Sequence, residues 1–421
     1  MLNRTSAFVT ALLIFGVCFV IVPAQATTHY VAKTGNDSNA CTQSAPCLTF
    51  SRAYNVASGG DTIEVASGTY GAQTIPPRSL GTSVVTFRPA AGASVTLGEL
   101  RIQASYVEVR EMAASGYNIS PASSSSPPSA TSHVTLRNMS GKYMYIVAEN
   151  VSVIGGEYGG FDACDTKYPE DVIQIWQTYP GGQASSYVTI DGVKIHDITD
   201  HNNLCSGTPG AGRHVDCMQV LAGHYITVRN SQFYNCATSD ILMRPYKDTL
   251  DNITIENNFF QRVMNPGNVV LIGDSSDTVG GTNVIRYNYL AGVGTAARYT
   301  GSLQVYGNII ENNYACQNGT WSYNVFMGSS VNCGTNYVHG NPSFVGPTPS
   351  PSYLNGIIPN YRLNADDTVA KDRGDPTRYL STDIDGKNRY TGSAADAGAY
   401  EIGAGVAESP QVPNNLRISV P

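Results

Sequence analysis

A chain of 421 residues would ordinarily divide into two or three domains, yet only 14% of these residues are charged and 42 are glycine. The same chain holds 26 tyrosines and is poor in good helix formers, a profile that suits strands and turns and argues against a helical bundle. A formal charge of −7 without a basic stripe argues against nucleic acid as a partner.

Residues 1–26 read as a secretory signal peptide: Arg4 supplies a positive start, an apolar run extends from Ala7 to Val22, and Ala24-Gln25-Ala26 fits the small-x-small cleavage rule. The run is short for a membrane span, so the mature protein is expected to be secreted, to the periplasm or beyond, with no membrane contact once the signal is removed. Residues 47–57, CLTFSRAYNVA, predict a short amphipathic helix that caps one end of the fold.

The middle of the chain is repetitive. The segments YVTIDGVKIHDI from Tyr187, YITVRNSQFYNC from Tyr225, NITIENNFFQRV from Asn252 and NVIRYNYLAGV from Asn283 share one pattern. A β-branched alternating run reaches a polar bend at Asn or Gly, and a second apolar run comes after it. Weaker copies begin at Val85, Tyr106, His133 and Asn150. Strand, bend and strand at a coil-sized period predict an all-β solenoid, a right-handed parallel β-helix, in which each coil buries its apolar face on the next. Asn suits the bends because it tolerates left-handed backbone and can stack its amide on the neighbouring coil. A sandwich or propeller would need hairpin turns, and Asn-Gly or Asp-Gly between paired strands is scarce. The stack is expected over 27–345, with a low-complexity loop at 120–132, a C-terminal cap region at 346–403 and a flexible tail at 404–421.

Eight cysteines remain after the signal, an even set that suggests disulfides in an exported protein. Close spacing favours Cys41–Cys47 and Cys316–Cys333, then Cys164–Cys205; buried free thiols stay open for Cys217 and Cys236. The absence of CxxC spacing argues against zinc.

The opening YVAKTGNDSNACTQSAPCLTFSRAYNVASGGDTIEVASGTY, the closing DIDGKNR…DAGAYE and the coil HVDCMQV followed by YITVRNSQF together resemble exported right-handed β-helix proteins of the pectate-lyase-like superfamily. The resemblance spans nearly the whole mature chain. It implies the fold, and it leaves the activity open among polysaccharide lyases, uronate epimerases, glycoside hydrolases, tailspikes and members with no assigned activity.

Chemistry is expected where DVIQI, DCMQV, DILMR and NVVLI begin consecutive coils. Aligned on their first residues, they place Asp171, Asp216, Asp240 and Asn268 in one column and Gln174 and Gln219 in a second. Carboxylates stacked at a strand spacing of ~4.8 Å would raise one another's pKa or share a cation, and Ca²⁺ prefers such oxygens, so Asp171, Asp216 and Asp240 are candidate metal ligands. The alternative is that they are bend residues bonding to backbone. An insertion between Ser185 and His214 supplies His196, Asp200, His201 and Arg213, and is expected to overhang this face; Arg244, Tyr246 and Lys247 come after the third segment.

Three functions compete. A lyase or epimerase acting on an acidic polysaccharide must neutralise a uronate carboxylate and remove the C5 proton. Arg244 would face that carboxylate, and His214, Lys247 or Arg244 would be the base, with Gln174, Gln219, His201, Arg213 and Tyr246 holding the sugar. A glycoside hydrolase would use two of the carboxyls as acid and base, Asp216 and Asp240 among them. A non-catalytic carbohydrate-binding protein would use exposed tyrosines. The negative net charge opposes long-range attraction of a polyanion, which weighs against the first. A monomer is expected. Asp383-x-Asp385-Gly386 opens like a calcium loop but lacks the closing Glu, which favours a capping turn.

Overall fold

The structure is a computed structural model that describes residues 26–122, 131–162, 171–176, 184–199, 215–246, 248–261, 270–311, 316–328, 333–346 and 360–403. Thirty of its strands form one continuous sheet wound into a right-handed parallel β-helix. The alternating runs seen in the sequence are its rungs. Ile63, Phe87, Val109, Leu136, Val153, Ile190, Val228, Ile255, Ile285, Val305 and Trp321 are successive register partners and form one buried inner column. Each such aliphatic side chain contributes about 1.5–3 kcal/mol by leaving water, and a one-residue slip would turn the whole column outward.

The chain bends at one recurrent position of the coil. Glu111, Asn138, Gly155, Gly192, Asn230, Asn257, Tyr287, Gly307, Tyr323 and Asn336 each come directly after a register-paired strand residue, and all have φ between +49° and +68°. Asn and Gly take this left-handed backbone readily; Tyr287 and Tyr323 do so at a cost of about 1–2 kcal/mol each. The bend divides each coil into a first face before it and a second face after it, and a third face closes the turn.

Just past the bend stands a buried amide ladder of Asn258, Asn288, Asn308 and Asn324. The Oδ1 of each accepts the backbone N–H one coil back, from Ser231, Asn258, Asn288 and Asn308 in turn, at 2.9–3.0 Å. Each Nδ2 donates to a backbone carbonyl, of Val228, Ile255, Ile285 and Val305 respectively. The stacked amide inferred from the sequence is therefore present.

The helix covers Phe50–Val56, inside the expected 47–57; Thr49 caps it, and Phe50 and Tyr54 bury their rings beside Phe87. Cys41–Cys47 and Cys316–Cys333 are bridged as expected. Cys217 and Cys236, which the sequence leaves open as thiols, are also a disulfide, with Cα atoms 5.5 Å apart. Cys164 and Cys205 lie outside the described residues, as do the signal segment 1–25 and the tail 404–421. No helix among the described residues is long and apolar enough to cross a membrane.

The closing motif is a clasp. Arg389 is fully buried, lies over the Tyr287 ring at 4.6 Å, and donates to the Asn257 side chain and to the Gly398 carbonyl. Asp383 accepts the N–H groups of Asp385, Lys387 and Glu401, while Asp385 pairs with Arg362. The Asp383-x-Asp385-Gly386 segment is thus the capping turn.

Candidate functional site

The first face is polar but satisfies itself: Glu64 pairs with Arg88 at 2.8 Å, Asp191 with Arg229 at 2.9 Å and Glu256 with Arg286 at 2.7 Å, each across neighbouring strands. The third face differs. Its strands include Met144–Ile146, Ile173–Ile175, Met218–Val220, Ile241–Met243 and Val270–Ile272. Their end residues point inward. Their middle residues form an outward column, which runs from Asn118 in the strand Ala113–Ile119 through Tyr145, Gln174, Gln219 and Leu242 to Leu271. Gln174 Nε2 donates to Gln219 Oε1 at 3.1 Å, so the two glutamines expected to be neighbours stand side by side.

The acidic column is not as expected. Met218 pairs with Ile241, so Asp216 lies opposite Ser239, and Asp240 is displaced by one residue to lie opposite Cys217. Aligning the motifs on aspartate ignores the apolar alternation that sets register. Nor are these carboxyls solvent-facing: Asp171 is 3% exposed, and Asp216 and Asp240 are fully buried. Asp171 Oδ1 accepts the Asp216 N–H at 2.9 Å, and its Oδ2 accepts from Gln174. Asp216 Oδ1 accepts the Ser239 N–H at 3.0 Å. Asp171 and Asp216 thus use their oxygens as bend residues use them. Neither oxygen of Asp240 has a hydrogen-bond partner among the described residues. Burial pushes the Asp216 carboxyl up to about 7, against the pull of Ser239. Burial, with the adjacent Asp216, holds Asp240 well above the usual carboxylate range. Three carboxyls so placed do not present a shared oxygen shell to Ca²⁺, and among the described residues no three His, Cys, Asp or Glu side chains converge on a point.

Arg244 leaves the end of the strand Ile241–Met243 and is claimed by two carboxylates, Asp274 and Asp277, the latter 3.0 Å from its Nε. It does not stand free to meet a substrate carboxylate, contrary to the expectation from sequence. The register brings this about: Met243 pairs with Ile272, which sets Arg244 beside Gly273-Asp274. Tyr246 is 45% exposed and meets the Trp176 indole edge-to-face at 6.0 Å. Trp176, which directly succeeds the Gln174 strand, escapes the sequence criteria; it completes an aromatic rim beside the amide column. His201, Arg213, His214, Lys247 and Asn268 lie outside the described residues.

His196 does not overhang the third face. It belongs to the strand Lys194–Thr199 on the second face, where its ring stacks on Tyr234 at 4.8 Å. Its Nε2 meets Glu157 and its Nδ1 meets Asp197, both at 2.9 Å. Burial opposes its charge, but the hydrogen bonds its ring donates to Asp197 and Glu157 overcome that and push it up to about 9. It is a held imidazolium, unsuited to act as a base near neutrality.

Residues 33–75 match a family model described as a protein of unknown function (DUF1565). No curated protein matches the chain. Among solved structures, the chain is similar to the pectate lyase Pel9A, at 14% identity and a TM-score of 0.44 over 90% of this chain and 97% of that one. It is also similar to XylC in complex with xylose, at 10% identity and a TM-score of 0.48 over 76% and 87% of the two chains. A third similarity is to the PL6 family alginate lyase AlyGC, at 12% identity and a TM-score of 0.43 over 80% and 58%. At these identities the likeness concerns the fold alone.

Proposed function

We propose that this is an exported carbohydrate-active protein that takes an acidic polysaccharide along its third face and acts on it as a lyase, or as the related uronate epimerase. The observation that carries the reading is the outward column Asn118–Tyr145–Gln174–Gln219 beside the Trp176–Tyr246 rim. Amides spaced one strand apart match hydroxyl groups repeating along an extended chain, and the two aromatic rings offer apolar area to sugar rings. The bridged cysteines and the signal-like first 26 residues support export.

In elimination a base removes the C5 proton, the C4–O bond breaks towards the leaving sugar, and a C4–C5 double bond forms. The carbanion-like transition state needs positive charge at the uronate carboxylate. Arg244 shares its charge with Asp274 and Asp277, so this reading assigns the base and the neutralising cation to His214, Lys247, His201 and Arg213, which flank the face in sequence. The prior neutralisation of Arg244 favours one second reading, carbohydrate binding without turnover. The hydrolase reading needs carboxyls open to the glycosidic oxygen, and the burial of Asp216 and Asp240 withholds them.

The test is absorbance near 235 nm during incubation with a panel of polyuronates, with Ca²⁺ and with chelator. A rise that His214→Ala or Lys247→Ala abolishes, and that Trp176→Ala weakens through KM, supports the lyase. No rise on any polyuronate and no solvent deuterium taken up at C5, with retained binding that Trp176→Ala and Tyr246→Ala reduce, selects the binding reading. Neither absorbance nor binding overturns both.

A further inference from the structure

A second polar site lies on another face. A cleft of about 550 Å³ sits between the outer surface of the strands Ser302–Tyr306 and Thr320–Ser322 and the C-terminal segment at Arg378. Arg298, Ser302, Gln304, Asn318, Thr320 and Arg378 line it, and among the described residues no carboxylate does. Arg378 is fixed in place. Its Nε donates to Asp375 at 2.8 Å, its other nitrogens donate to Gln304 Oε1 at 3.0 Å and Ser322 Oγ at 3.1 Å, and its guanidinium lies 4.3 Å over the Tyr306 ring. Asp375 offsets that charge from behind. Arg298 is different: it makes no ion pair among the described residues, and its guanidinium donates to the Thr278 hydroxyl at 3.1 Å.

In an acidic protein whose first-face arginines Arg88, Arg229 and Arg286 pair with carboxylates, an arginine without an ion pair among the described residues, over a cleft lined with hydroxyls and amides, points to an anionic, hydroxylated ligand. We infer that this cleft binds a sugar unit bearing an oxyanion, a uronate carboxylate or a sulfate ester. Arg298 would meet the oxyanion with its planar fork, which suits such groups better than a point charge. Ser302, Thr320 and the Gln304 amide nitrogen would meet ring hydroxyls. Arg378, already oriented, would hold the cleft wall and add a second guanidinium edge. The site is separate from the third face, so it stands whether or not that face turns substrate over.

Calorimetric titration with trigalacturonate, a sulfated disaccharide and maltotriose tests the inference, in a Trp176→Ala/Tyr246→Ala background that weakens the third face. One or both anionic sugars should bind and maltotriose should not; which of the two binds tells carboxylate from sulfate. Arg298→Ala should weaken binding by about tenfold or more at an unchanged melting temperature, and Arg298→Lys should keep part of it. Equal binding of maltotriose, no binding of either anionic sugar, or an affinity unmoved by Arg298→Ala overturns the inference. Any 235 nm turnover should survive Arg298→Ala, which separates failure here from failure of the proposed activity.

Discussion

Two rows of side-chain oxygens run along the stack, and they behave in opposite ways. The Asn258–Asn288–Asn308–Asn324 ladder and the Asp171–Asp216 row both accept backbone N–H groups from a neighbouring coil. An amide also donates, so each asparagine passes a hydrogen bond on to the next, as Asn288 does to Asn308 at 3.0 Å. An ionised carboxylate only accepts. Its row must either lose its charge or leave lone pairs unmet, and Asp240, slipped one residue out of register, leaves both oxygens unmet among the described residues. The same acceptor role is therefore stabilising in one chemistry and costly in the other.

The largest effect should come from converting one row into the other. Asn308→Asp removes the donors to Ile285, Tyr306 and Asn324 and should cost about 4–6 kcal/mol at pH 8, read by denaturant unfolding. The reverse conversion should stabilise. The folded pKa of Asp216 is raised, so the folded state holds a proton that the unfolded state has lost between pH ~4 and about 7. Stability from this group is full at low pH and falls as pH rises through that window. Asp216→Asn keeps the oxygen that accepts from Ser239 and should flatten the fall, gaining about 2–4 kcal/mol at pH 8 and little at pH 4. Asp240→Leu replaces an unpartnered acid by an apolar group and should gain about 1–3 kcal/mol, measured the same way. Either gain, with 235 nm activity intact, would mark the acids as structural passengers; a gain that abolished activity would mark them as retained for function. The smallest effect contrasts a carboxylate that is paired. Stability from the His196 imidazolium is full below pH ~6.5 and lost as pH rises through about 9. Glu157→Gln should bring the NMR titration of His196 down and cost under about 1 kcal/mol, since Glu157 is half-exposed.

The sequence is legible wherever a single physical rule acts alone. Period and alternation yield the coils, and asparagine at the bends announces both the left-handed backbone and the amide ladder. The Gln174–Gln219 neighbours emerge because each sits between two inward apolar residues. Legibility fails where residue identity competes with register: Asp240 looks like a partner of Asp216 until Ile241 and Met243 have to face the core. It fails again for Arg244, whose partners Asp274 and Asp277 lie 30 and 33 residues on and become neighbours only through stacking. His196 sits in what reads as an insertion, whereas two carboxylates and a tyrosine face hold it in a regular strand. The Cys217–Cys236 bridge stays open in the sequence because its 19-residue separation spans a coil whose geometry the sequence does not display.

Arg389 sits near the end of the chain yet reaches back to Asn257, 132 residues earlier. A ribosome delivers the coils before this side chain. Until it arrives, the Asn257 amide lacks its guanidinium donor and the face of Tyr287 lacks its cation. The stack can grow rung by rung as it emerges, but it is bolted only once residue 389 has been made. A nascent chain stalled or clipped anywhere before residue 389 would thus carry an open latch, a mark by which proteases can tell an unfinished molecule from a finished one of nearly the same shape.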